Sequence, residues 1–250
     1  MTVAGDDWLG LLRRTADSVA AALRTFDRWT QSGDRPDQYA LDQVADVAAL
    51  DVLDAAGVSV LSEESGLRRG VGNETVIVDP VDGSTNASRR IPHYCISLCV
   101  VEGLTPVAGL VRHLVSGEEF TAVTGGGAHC DGHPISPSNC TGPERAIIGV
   151  SGRPGPELPG WQVRVLGSAA LDLCAVACGR LDAYLDLNSN HGVWDYAAGV
   201  LICAEAGAWT GETHGRELFH LEHSQRRGPI ATSTAQLASL LDGFGRHDHR

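Results

Sequence analysis

The chain has 250 residues and carries 31 Asp and Glu against 19 Lys and Arg, a net charge of -12. That length buries a sizeable core as one large domain or two closely joined halves, and the acidic balance repels nucleic acid. With 43% hydrophobic and 20% charged residues the composition is that of a soluble globular protein, and no run of about 18 apolar residues would span a bilayer.

The start, Met1 to Asp7, is acidic and polar, so neither export nor membrane contact is expected and the expected compartment is the cytoplasm. The cysteines are Cys95, Cys99, Cys130, Cys140, Cys174, Cys178 and Cys203, an odd set without a Cys-x-x-Cys pair. Neither a disulfide framework nor a zinc knuckle is indicated. Cys174 and Cys178, one helical turn apart in an apolar stretch, read as buried small hydrophobes.

Trp8, Leu12, Ala16, Val19, Leu23 and Phe26 recur at helical spacing, with Asp6 or Asp7 placed as an N-cap. Leu41, Val44, Ala48, Val52 and Ala55 form a second helix that ends at Gly57. Val58 to Leu61 reads as a short buried strand that delivers Glu63 and Glu64 at its end. Strands are expected at 75–79, 94–101, 106–111 and 118–123, with Ile96, Leu98 and Val100 alternating as one buried face. Gly125-Gly126-Gly127 and Asp131-Gly132 mark a hairpin region.

After the Pro- and Gly-rich stretch from Ser136 to Gly160, the spacing predicts strands at Ile147 to Val150 and Val163 to Leu166. A helix from Ser168 to Cys178, a strand from Asp182 to Leu187 and a helix from Asp195 to Ala206 follow. Ile230 to Ser233 and Ala235 to Leu241 complete a strand and a final helix. The tail from Arg246 to Arg250 reads as a solvated terminus, although its histidines would suit a metal. This mixture implies a layered α+β architecture. The division expected is an N-terminal half, 1–140, carrying the acidic motif, and a C-terminal half, 141–250, carrying Trp194-Asp195.

Carboxylates gather at the element boundaries. Glu63 and Glu64 end one strand, Asp79 ends another, Asp82 lies just past a turn fixed by Pro80, and Asp195 opens a helix. Asp-x-x-Asp alone is an ordinary turn, Glu-Glu an ordinary loop and Trp-Asp an ordinary capped helix. The three together, in this order, point to hard divalent cations. Oxygen ligands without His or Cys suit Mg²⁺ or Mn²⁺ rather than Zn²⁺. The Val81 carbonyl adds one more hard ligand. Gly83 allows close approach, and the N–H groups of Gly83, Ser84 and Thr85 at a helix start would take a phosphate.

Asp79-Pro80-Val81-Asp82-Gly83-Ser84-Thr85-Asn86 resembles the first signature of the inositol monophosphatase family, D-P-[IVL]-D-G-T-x-N. Trp194-Asp195-Tyr196-Ala197-Ala198-Gly199 with Glu205-Ala206-Gly207 resembles its second, and Ser62-Glu63-Glu64-Ser65 resembles its G-E-E-S. The hairpin from Gly126 to Ile135 resembles the element G-x-G-A-x-x-N-G-x-P-[IL]. The likeness implies a layered α-β-α-β-α sandwich and a Mg²⁺-dependent, lithium-sensitive phosphomonoesterase, usually a homodimer.

Carried over residue by residue, it implies that Glu63, Asp79 and the Val81 carbonyl hold a first metal. Asp79, Asp82 and Asp195 would hold a second, with a third, weaker ion near Glu63. Glu64 would be a minor contributor. Ser84, where the family usually has Thr, would orient the attacking water with Asp42 as its partner. Asp42, Ser84 and Glu63 thus form the expected catalytic set. Asp82, Gly83, Ser84, Thr85, Ser168, Ala169, Asp186 and Asp195 form the expected phosphate and substrate contacts.

Several positions depart from the family pattern. The loop from Thr30 to Asp42 lacks the usual Lys and V-T-x-x-D run, Asp186 stands where inositol-specific members carry Glu, and Ala87 replaces a usual Phe. The segment from Leu187 to Val193 is also longer. Inositol 1-phosphate or a related cyclitol phosphate is the expected substrate. Histidinol phosphate, a sugar bisphosphate or a 3′-phosphonucleotide are alternatives within the same chemistry. The alternative of another class is a non-catalytic regulatory protein on the same fold.

Overall fold

The computed structural model describes residues 5–34, 38–154, 158 and 162–241. The first two apolar repeats fold as α1, Gly5–Arg24, and α2, Ala40–Ala56. α1 is described from Gly5, and the capping expected of Asp6 or Asp7 lies outside the described residues. α2 closes at Gly57, whose backbone is left-handed at φ 73°.

Both helices cover one face of an eight-stranded sheet built from β1 Ser59–Ser62, β2 Gly66–Arg68, β3 Glu74–Asp82, β4 Cys95–Glu102, β5 Thr105–His113, β6 Glu119–Val123, β7 Ala128–Cys130 and β8 His133–Pro134. Its order is β2-β1-β3-β4-β5-β6-β7-β8, with only β1 and β3 parallel. The period of two decides which core each residue joins. Val76, Val78, Ile96, Leu98 and Val100 face Leu12, Val19, Leu41 and Leu53 of α1 and α2, whereas Ile77, Cys99 and Val101 face the other way.

On that other side lie α4, Ala169–Ala177, and α5, Val193–Ala206, which are buried along almost their whole length. Helices apolar all round belong between two layers, and these separate the first sheet from a second. The second sheet contains β9 Ile147–Ser151, β10 Gln162–Arg164, β11 Ala183–Asp186, β12 Trp209–Glu212 and β13 Pro229–Thr232, in the order β10-β9-β11-β13-β12. α6, Ala235–Leu241, closes its outer face, where Leu237 and Leu241 meet Ile148, Val150, Ala183 and Leu185. The layers therefore run α-β-α-β-α, with one hydrophobic core around the central helices and one under each outer helical layer.

Two details differ from the sequence expectation. Pro80 does not make a turn: β3 continues through Asp82, and its pairing to β4 shifts between Asp79↔Ser97 and Asp82↔Cys95. One extra residue on β3 makes a bulge, where a missing proline N–H costs no ladder bond. The edge strands β2 and β12 were not expected, because neither carries a clean buried alternation. All seven cysteines are free thiols, with Cys174 inside the central core. The tail from Arg246 to Arg250 lies outside the described residues. No helix among the described residues is long and apolar enough to cross a membrane.

Candidate active site

Three elements deliver carboxylates to one place. β1 ends at Ser62 and hands on Glu63, whose N–H donates to the Val78 carbonyl of β3 at 3.1 Å. β3 itself carries Asp79 and, beyond the bulge, Asp82. α5 carries Asp195 in its first turn. One carboxylate oxygen each from Glu63, Asp79 and Asp195 lies within 4.8 Å of the others. Asp79 accepts the Val81 N–H at 3.0 Å. Asp82 accepts the Ser168 hydroxyl and the Ala170 N–H, both at 2.7 Å, so the start of α4 aims it.

These groups repel one another in a dry place. Burial first, then the charges of Asp195 and Glu64, hold the Glu63 carboxyl well above the usual range. Asp79 is raised in the same direction by burial and then by Glu63, Asp82 and Asp195. Asp82 rises to about 6 through burial and the Asp195 charge. Another acidic group, Glu118 with Cys130 and Asp131, is also tight. There Arg180 already grips Glu118 with two bonds of 2.6 and 2.7 Å. None of the described ion pairs brings an arginine to Glu63, Asp79, Asp82 or Asp195. His191, 3.1 Å from Asp195, offsets part of this charge, and the remaining hard oxygens at this spacing fit a divalent cation.

Beside the carboxylates, Gly83 turns the chain from β3 into α3, Ser84–Ser88, with φ at 90°. A Cβ there would sit 3.0 Å from the carbonyl oxygens of Gly167 and His93, so only glycine fits. Asn86 locks the same turn to the second half of the chain, donating to the carbonyls of His93 and Leu166 at 2.8 Å each. Ser84 and Thr85 follow at the helix start, and the Tyr39 hydroxyl lies 3.4 Å from Thr85 Oγ1.

Asp42 is buried in the first turn of α2 and accepts the Tyr39 N–H at 2.9 Å, and its charge contributes to the upward shift of Glu63. Ser168 is 2% exposed and committed to Asp82, with Ala169 following at the first position of α4. Asp186 is 1% exposed and accepts the N–H groups of Asn188 and Asn190 at 2.9 and 3.0 Å, so it shapes the longer loop after β11. Glu64 is bonded by the Gln38 amide.

Sequence reading misses two histidines. His191 stands 3.1 Å from Asp195, and Tyr184 meets its other ring nitrogen at 2.9 Å. Burial pushes its pKa down, but Asp195, Asp186 and Asp82 together raise it to about 9. Its place four residues before Asp195 is the signal that was available. His223 reaches the carbonyl of Glu63 at 2.9 Å, and no local pattern announces that meeting.

A family model described as the inositol monophosphatase family matches residues 30–243. The chain is 36% identical over 240 residues to a fructose-1,6-bisphosphatase/inositol-1-monophosphatase of Archaeoglobus fulgidus, covering 93% of each. It is 29% identical over 252 residues to the Nus factor SuhB of Escherichia coli, covering 92% of each. A solved structure titled as an extragenic suppressor from Pyrococcus furiosus superposes with a TM-score of 0.83 at 27% identity, covering 94% of this chain and 99% of that one.

Proposed function

The chain belongs to the inositol monophosphatase family of phosphatases, and on that premise we propose that it hydrolyses a small phosphorylated polyol, inositol 1-phosphate or a related cyclitol phosphate foremost. The observation that carries this reading is the group of Glu63, Asp79 and Asp195, which no arginine of the described ion pairs reaches, beside the Gly83 turn. Two Mg²⁺ ions, with Mn²⁺ as a substitute and a weaker third ion near Glu63, would polarise the phosphoryl oxygens and generate a nucleophile near neutral pH.

The chain's own residues divide the remaining work. Glu63, Asp79, Asp82, Asp195 and the Val81 carbonyl hold the cations. Gly83, Ser84 and Thr85 offer N–H groups to the phosphate, which would otherwise stay unpaired at a helix start. Ser84, with Asp42, orients the attacking water and holds its proton. Ser168 and Ala169, with Asp186 below the longer loop, border the alcohol end. No covalent enzyme intermediate is part of this scheme. A homodimer is the assembly that family membership favours.

A second reading, hydrolysis of fructose 1,6-bisphosphate, draws support from the double name of the Archaeoglobus fulgidus relative. A third, a non-catalytic regulator, draws on the Escherichia coli relative named as a Nus factor. A regulator has no need of this carboxylate set, which favours the enzyme. The test is phosphate release from a panel holding inositol 1-phosphate, fructose 1,6-bisphosphate, histidinol phosphate and a 3′-phosphonucleotide. The expected result is Mg²⁺-dependent turnover, depressed by Li⁺, with the largest kcat/KM for inositol 1-phosphate. No turnover on any member would remove the enzyme reading, and a preference for the bisphosphate would replace the substrate.

A further inference from the structure

The segment between β12 and β13 leaves the second sheet and reaches the carboxylate cluster carried by the first. Glu212 staples its root, accepting the N–H groups of His214, Arg216 and Gly228 at 2.8, 3.0 and 3.0 Å. Midway, Tyr196 of α5 donates to the Leu218 carbonyl at 2.6 Å. Further on, His191 and Arg227 exchange backbone hydrogen bonds of 3.1 and 2.9 Å. Between these anchors, His223 Nε2 stands 2.9 Å from the carbonyl oxygen of Glu63. A carbonyl only accepts, so Nε2 carries the proton and donates.

The imidazole is itself held. Its ring centroid lies 4.6 Å from that of Trp194 at an interplanar angle of 35°, and the Arg226 guanidinium lies 5.3 Å from the same indole. Trp194 is the neighbour of Asp195, and Ser97 of β4 donates to its carbonyl at 3.1 Å. One aromatic contact therefore links the two arms of the cluster that come from opposite halves of the chain.

Glu63 is the arm in need of a support. Asp79 and Asp82 lie within β3 and Asp195 within α5, but Glu63 stands beyond the last residue of β1. Its N–H is tied to β3, and the three carboxylates push one another apart. We infer that His223 is a positioning residue of the cation site, holding the Glu63 peptide by its carbonyl so that the carboxylate keeps facing Asp79 and Asp195. This deepens the metal-dependent reading given above and stands on it. Groups that orient a ligand without touching the metal typically change metal affinity by about 10–100-fold.

The experiment titrates Mn²⁺ alone into the full chain and reads bound ion from the loss of the free-ion paramagnetic resonance signal. Wild type is compared with His223→Phe, which keeps a ring against Trp194 but lacks the donor, and with His223→Gln, whose amide returns an N–H near the Nε2 position. Melting in EDTA is recorded for all three. The expected result is a loss of Mn²⁺ affinity of about tenfold in His223→Phe, recovery of most of it in His223→Gln, and metal-free melting temperatures that coincide. Wild-type affinity in His223→Phe would overturn the role. So would equal losses in both variants, or a loss that tracks a lowered metal-free melting temperature. Absence of Mn²⁺ binding by the wild type would instead remove the metal-dependent reading, and this inference with it.

Discussion

At neutral pH the carboxylate of Asp82 is held in a place that disfavours charge: it is 7% exposed, and burial and Asp195 raise its pKa to about 6. Asp82→Asn keeps an oxygen for the Ala170 N–H but removes the charge that a cation needs. Phosphate release is expected to fall by about 100-fold or more, on the order of 3 kcal/mol of lost transition-state stabilisation. The metal-free protein is expected to gain about 1 kcal/mol and melt about 2–4 °C higher, since one repelling charge is gone. Near-normal turnover would show that Asp82 is not a ligand, and a lower metal-free melting temperature would show that its charge stabilises the fold. The carboxylates of the proposed cation site are legible in the sequence because each lies in a short motif. Their supports are not, because Ser168 meets Asp82 across 86 positions and His223 meets Glu63 across 160.

The segment between β12 and β13 depends on one side chain at its root. Burial alone would raise the Glu212 pKa, but the Arg216 guanidinium and three backbone N–H groups outweigh it and pull the carboxyl down to about 2. A carboxylate depressed in the folded state contributes stability that is present above its ordinary value and is lost as pH falls through the folded value. Glu212→Gln is therefore expected to cost about 2 kcal/mol at pH 7, in keeping with hydrogen bonds to a charged group. The gap to wild type should narrow as pH falls from about 4.5 toward about 2. Urea unfolding at several pH values measures it, and a constant gap would mean that the charge plays no part. Elements with a strong apolar period, such as α1 and α2, are legible from sequence. β2 and β12 are not, because edge strands answer to their neighbour's hydrogen bonds more than to their own side chains. The β3 bulge escapes as well, since Pro80 there reads as a turn until the register with β4 is known.

Across the whole molecule, the carboxylate cluster works against the assembly of the two halves. Glu63 and Asp79 of the first sheet meet Asp195 of α5, between the sheets, with the Asp82 charge close by, and none of the described ion pairs brings an arginine to them. Carboxyls raised in the folded state contribute stability that is full below their ordinary values and is lost as pH rises through the raised ones. Asp82 makes that loss around pH 6, and Glu63 and Asp79 are raised in the same direction by burial and by one another. His191 opposes the trend only as an ion, and with its pKa near about 9 it stays protonated through this window. A cation binds the deprotonated set, so binding releases protons and its affinity climbs over the same range. The metal-free chain is thus expected to lose stability from this cluster as pH rises through about 6. A fixed excess of Mg²⁺ should raise the melting temperature more at pH 8 than at pH 5.5, because ligand stabilisation grows with affinity. Scanning melts with and without Mg²⁺ at the two pH values measure both slopes. A Mg²⁺ shift independent of pH would mean that the ion binds elsewhere than these carboxylates.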